Sequence, residues 1–102
     1  MVSKRHPSIR PSHPGEIIGA DIDATKLSKV ELAGALGISR RTLYDILDQK
    51  HGVSTQMAVR LEKVLGSSAE FWLNLQAAHD LWNARQTTET KGLKRLIDKR
   101  AA

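Results

Sequence analysis

The stretch from Ser28 to Gln49 constrains this chain more than any other. Within it a small residue, Ala33, is followed four positions later by a glycine, Gly37. Leu32, Leu36, Ile38, Leu43 and Ile46 complete one apolar register around that pair. Two short helices that cross steeply bring their backbones close, so one position on the first must be small. The turn between them needs a residue that tolerates positive φ, and glycine does so without a Cβ clash. The spacing therefore predicts a helix-turn-helix. A generic αα-hairpin shares the same apolar pattern, so the outer face must decide what the unit does.

Local signals mark the helix ends. Ser28 caps the first helix of the unit, with Glu31 three residues on completing a capping box, and Gly37 stops it. Ser39 caps the next helix, where Leu43, Ile46 and Leu47 recur at i, i+3, i+4. Lys50 to Val53 reads as a loop. Ser54 or Thr55 caps a further helix that turns Met57, Ala58, Leu61, Val64 and Leu65 inward and ends at Gly66. Upstream, Pro14-Gly15-Glu16 opens a first helix, because proline suits a position whose N–H would be unpaired anyway. Ile17, Ile18 and Ile22 give it a short apolar stripe, and Gly19 weakens it. Downstream, Ser67 or Ser68 caps a fifth and longer helix from Ala69 to about Arg85. No segment alternates with the period of a strand. The expected class is all-α with five helices in a domain over 14–85. Residues 1–13 are polar and basic, hold two of the three prolines, and read as a flexible arm. Residues 86–102 read as a basic tail, in which Lys91 to Arg100 forms either a short basic helix or a disordered run.

Composition narrows the function. The 102 residues suffice for one domain with one core. There is no cysteine, which excludes disulfides, thiolate catalysis and Cys-ligated zinc and suggests a reducing cytoplasm. No apolar run approaches the roughly 20 residues of a membrane span, and no apolar core of a secretory signal is expected at the N-terminus. His6, His13, His51 and His79 are not spaced as metal ligands. No nucleophile–base set or phosphate-binding glycine loop accompanies them, so neither enzyme activity nor a cofactor or metal site is expected. The formal net charge of +5 favours a polyanion as partner.

The outer face of the second helix of the unit reads Ser39, Arg40, Arg41, Thr42, Tyr44, Asp45 and Asp48. The N-terminal end of a recognition helix meets base edges in the major groove, where arginine bonds bidentately to guanine. Ser39 and Thr42 can reach bases or phosphates. Asp45 either accepts from cytosine N4 or orients an arginine. Ser28 and Lys29 at one end, and Gln49 and Lys50 at the other, suit phosphate contacts that fix register on double-stranded DNA. Solvated surface charge is the plainer account of Arg40 and Arg41.

The fifth helix carries more apolar surface than one buried face needs. Phe71, Leu75, Ala78 and Trp82 form one stripe, and Leu73, Ala77 and Leu81 another. One stripe is expected in the core and the other against a second copy of the chain. Trp72, set between polar positions, is expected as an interface anchor. His79 is expected at a polar edge or dimer contact. The alternative is a wholly buried helix with one wet edge.

"SKVELAGALGISRRTLYDILDQK" at 28–50 resembles the lambda-repressor-like, or Xre, helix-turn-helix family. "HPGEII" at 13–18, "GVSTQMAVRLEKVLG" at 52–66 and "EFWLNLQAAHDLW" at 70–82 make the sequence similar to the HigA/VapI antitoxin branch. The resemblance covers about Pro11 to Arg85. It implies a five-helix domain, a homodimer, a palindromic operator in its own promoter and a RelE-like ribonuclease toxin as partner. It also puts Lys29, Arg40, Arg41, Thr42, Tyr44 and Asp45 on the family's DNA-facing positions. The chain departs from the family between Gly19 and Leu27, which look shorter and less amphipathic. A stand-alone repressor and a partner-docking protein that does not read DNA are the competing readings.

Overall fold

The computed structural model describes residues 10–98. They form five helices: α1 (Pro14–Thr25), α2 (Lys29–Leu36), α3 (Arg40–Leu47), α4 (Thr55–Leu65) and α5 (Ala69–Thr87). No strand occurs among the described residues, in agreement with the all-α expectation.

The ends of these helices follow local chemistry. The Ser28 hydroxyl accepts from the Glu31 N–H at 3.0 Å, and the Glu31 carboxylate accepts from the Ser28 N–H at 3.2 Å. Gly37 takes φ 71° at the end of α2. From there its N–H donates to the Gly34 carbonyl, and the Ile38 N–H donates to the Ala33 carbonyl at 3.0 Å. This pair of bonds closes the helix and turns the chain sharply into α3. Arg60 of α4 adds a charged clamp, its Nη1 donating to the carbonyls of Leu36 and Gly37 at 3.1 and 3.3 Å. A cation on these unpaired carbonyls also suits the negative end of the α2 dipole. Ser39, Ser54 and Ser68 each cap the helix that follows.

The core lies where the five helices converge. Ile18 and Ile22 come from α1, Leu32, Ala33 and Leu36 from α2, Leu43 and Ile46 from α3, and Ala58 and Leu61 from α4. Ala33 is 2% exposed, as the close α2–α3 crossing requires. Gly15 makes a second close approach. A Cβ there would overlap the Ile46 carbonyl oxygen, so the start of α1 lies directly on the end of α3. Gln76 of α5 ties in the loop after α3, accepting from the Val53 N–H at 2.7 Å.

Four sequence expectations change. Trp72 is fully buried and joins the core, so it is unavailable as an interface anchor. At about 100° per residue, the buried face of α5 runs through Trp72 and His79, between the two apolar stripes. Neither stripe is itself the core face: Phe71 is 39% and Leu81 50% exposed. Secondly, the expected arm ends earlier. Pro11 and His13 are buried, and His13 caps α1 through Nδ1, which accepts from the Gly15 N–H at 2.9 Å. His79 packs edge-on against it, ring centroids 4.8 Å apart, and so lies in the interior rather than at a polar edge. The remainder of the arm, 1–9, lies outside the described residues, as do Lys99 and Arg100 of the tail. Thirdly, α1 continues through Gly19 to Thr25 and stops where Lys26 adopts φ 60°. Fourthly, α5 extends two residues beyond Arg85, and the described part of the tail, 91–98, is not helical.

Candidate nucleic-acid interface

The two helices of the α2–α3 unit share a buried seam, and each begins on a serine cap. From that base α3 projects its outer residues. Arg40 and Arg41 are the first two residues of the helix and both are exposed. Cations at the positive end of a helix oppose its dipole, so the dipole does not account for arginines at these positions. Their placement suits an external anion instead. Ser39 and Thr42 are tied together: the Ser39 hydroxyl accepts from the Thr42 N–H at 3.0 Å, and the two hydroxyl oxygens are 2.9 Å apart. Their side chains thus hold the helix start first and face outward second.

Tyr44 is 42% exposed. Lys29, from the start of α2, lays its Nζ 5.4 Å from the centre of the Tyr44 ring. This contact across the two helices keeps a cation beside α3. Asp45 lies one turn beyond Arg41, its Oδ1 3.7 Å from Arg41 Nε. Its other oxygen faces His51 Nδ1 at 3.9 Å. Sequence reasoning missed His51, because only the reversal at Gln49, where φ is 62°, brings the loop back onto α3.

The proposed phosphate contacts flank this surface. The Ser28 oxygen is engaged as a cap acceptor, which leaves its hydroxyl proton to donate. Gln49 reaches α1, its Nε2 donating to Glu16 Oε1 at 3.3 Å. The same carboxylate accepts from the His13 N–H and from Arg10 Nη2. The His13 hydrogen bond, with Arg10 beside it, holds the Glu16 carboxyl below the usual carboxylate range. Gln49 is therefore partly committed to bracing α1, whereas Lys50 is exposed. A shallow groove of about 320 Å3 runs behind this edge, lined by Gly15, Gly19, Ile22, Lys29 and Leu47 among others. Among the described residues no three acidic, histidine or cysteine side chains cluster as metal ligands. No helix of the described residues is long and apolar enough to cross a membrane.

Comparison with known proteins agrees with this geometry. A family model described as a helix-turn-helix matches residues 23–72. The HTH-type transcriptional regulator YddM of Escherichia coli (strain K12) is 38% identical over 84 residues, covering 82% of this chain and 89% of that protein. Antitoxin HigA-1 of Vibrio cholerae is 36% identical over 78 residues, covering 74% of this chain and 72% of that protein. This chain belongs to the HigA/VapI branch of the Xre helix-turn-helix family. The solved structure of antitoxin GraA in complex with its operator superposes on this HigA-type chain with a TM-score of 0.76 and 39% identity. It covers 94% of this chain and 99% of that one. The HigA/VapI branch consists of DNA-binding regulators rather than enzymes.

Proposed function

We propose that this chain is the antitoxin of a type II toxin–antitoxin pair. As a homodimer it binds an inverted-repeat operator, represses its own operon and silences a small RelE-like ribonuclease. The observation that carries the DNA-binding part is the paired, exposed Arg40 and Arg41 at the start of a braced α3. Operator binding by GraA, a protein of the same fold and 39% identity, supports it. Two copies of α3 related by a dyad and about 34 Å apart would enter successive major grooves on one face of the duplex. Arg40 and Arg41 would read guanine, with Ser39, Thr42 and Tyr44 beside them. Ser28, Lys29, Gln49 and Lys50 would hold phosphates on either side.

The α5 face supports the dimer. Ala77 and Leu81 are exposed and Leu73 is half-buried, so an apolar strip remains uncovered in one chain. Trp72 has no part in it. Support for the toxin partner comes from family membership and from the antitoxin names of relatives such as HigA-1. Co-expression with the adjacent reading frame tests it. The expected result is a stable complex and rescue of growth from the neighbour's toxicity. A neighbour that neither binds nor harms the cell would leave a stand-alone repressor, in keeping with relatives such as YddM.

A further inference from the structure

The geometry points to Asp45 as a positioning residue that sets base preference through Arg41, without touching a base itself. This rests on the DNA-reading role proposed for α3. Asp45 is well placed for it. Its side chain is 18% exposed, against 87% for Arg41. Its two carboxylate oxygens are divided, Oδ1 towards Arg41 Nε at 3.7 Å and Oδ2 towards His51 Nδ1 at 3.9 Å. The backbone holds it as well. The N–H groups of Lys50 and His51 both donate to the Asp45 carbonyl, at 2.8 and 3.2 Å, which packs the loop against this turn of α3. Set between Arg41 and His51 and mostly buried, the carboxylate is less open to a base edge than the exposed guanidinium beside it.

Helix stability does not account for the pair. An acid in the last turn opposes the helix dipole, and a cation preceding an acid at i, i+4 is the less favourable order. The chemistry of arginine does account for it. A carboxylate at Nε engages one edge of the planar guanidinium and leaves the two terminal nitrogens facing outward. That outward fork matches O6 and N7 of guanine. In the free protein so exposed a pair is weak. As DNA closes over it and water leaves, the attraction strengthens. Asp45 thus fixes the direction of Arg41 at the moment when direction selects the base. Only arginine, with its Nε and fork, can be steered this way.

The test uses the full chain and a duplex that it selects from a random pool. Affinity is then measured for that duplex and for each single base-pair substitution at fixed salt. Asp45→Asn is expected to flatten preference about three- to tenfold at the base pair that Arg41→Ala also flattens. Added to Arg41→Ala, it should change nothing by more than about twofold. Asp45→Ala should give the same profile, and thermal stability should not fall in either variant. The inference is overturned if Asp45→Asn flattens a different base pair, since Asp45 would then be a reader. It is equally overturned by additive losses in the double variant, by an unchanged profile, or by an Arg41→Ala variant that keeps full preference. If the unaltered chain selects no sequence at all, the DNA-reading role of α3 falls first.

Discussion

One substitution, made twice in the same helix, should have opposite signs. Gly15 and Gly19 lie one turn apart on α1. Replacing an interior glycine with alanine restricts the unfolded chain and favours the helix by about 1 kcal/mol. Nothing lies within 4 Å of the Cβ that Gly19→Ala would add, since it enters the open groove beside Ile22 and Leu47. That variant should be more stable by about 1 kcal/mol, or about 4–8 °C in a domain of this size. At Gly15 the new methyl overlaps the Ile46 carbonyl oxygen, a backbone atom that cannot swing aside like the end of a side chain. Overpacking of this kind costs about 1–3 kcal/mol, and in the first turn the helix gains less from alanine. The net effect should be a loss of about 1–2 kcal/mol. Relief requires α3 to move away from α1, so operator affinity should fall together with stability. Urea unfolding at one fixed protein concentration measures both stabilities, because the proposed dimer would make the midpoint concentration-dependent. A Gly15→Ala variant as stable as the unaltered chain would refute the α1–α3 contact, and a destabilised Gly19→Ala would refute the open groove.

Other outcomes follow from the same geometry. His13 caps α1 through an unprotonated Nδ1; burial, with His79 beside it, lowers its pKa below 6.5. The unfolded chain then binds the proton more readily, so the contribution of His13 is complete above about pH 6.5 and declines as pH falls towards the folded value. Thermal melts from pH 8 to 5 should show this decline, and His13→Asn, which keeps a cap acceptor but does not titrate there, should flatten it. Removing Arg40 or Arg41 should cost about 1–3 kcal/mol per half-site and relax base preference. Lys29→Ala or Lys50→Ala should weaken operator and scrambled duplex about equally and reduce the salt slope; a salt series on both duplexes separates the two classes. Charged residues in place of Leu73, Ala77 and Leu81 together should give a monomer in sedimentation, and a triple variant that stays dimeric would exclude this strip as the interface.

The helix-turn-helix was legible because its determinants are local. A serine cap bonds a backbone N–H three residues away, and the Gly37 turn needs only the absence of a Cβ, so Ser28, Gly37, Ser39 and Ser54 mark boundaries that the fold keeps. The apolar residues of α2, α3 and α4 were legible for a related reason: each helix buries one face, and a single period describes it. On α5 that rule fails. Its apolar residues encircle the helix, so periodicity cannot select a face, and the packing of α4 and α1 against Trp72 and His79 makes the choice. By sequence His13 reads as part of a loose arm, because no spacing links it to His79, 66 residues along the chain. Gly15 carried no sign of Ile46 for the same reason. Pairings between distant segments exist only once the helices have packed, and here they determine how α1 is held against α3, and where Asp45 meets His51.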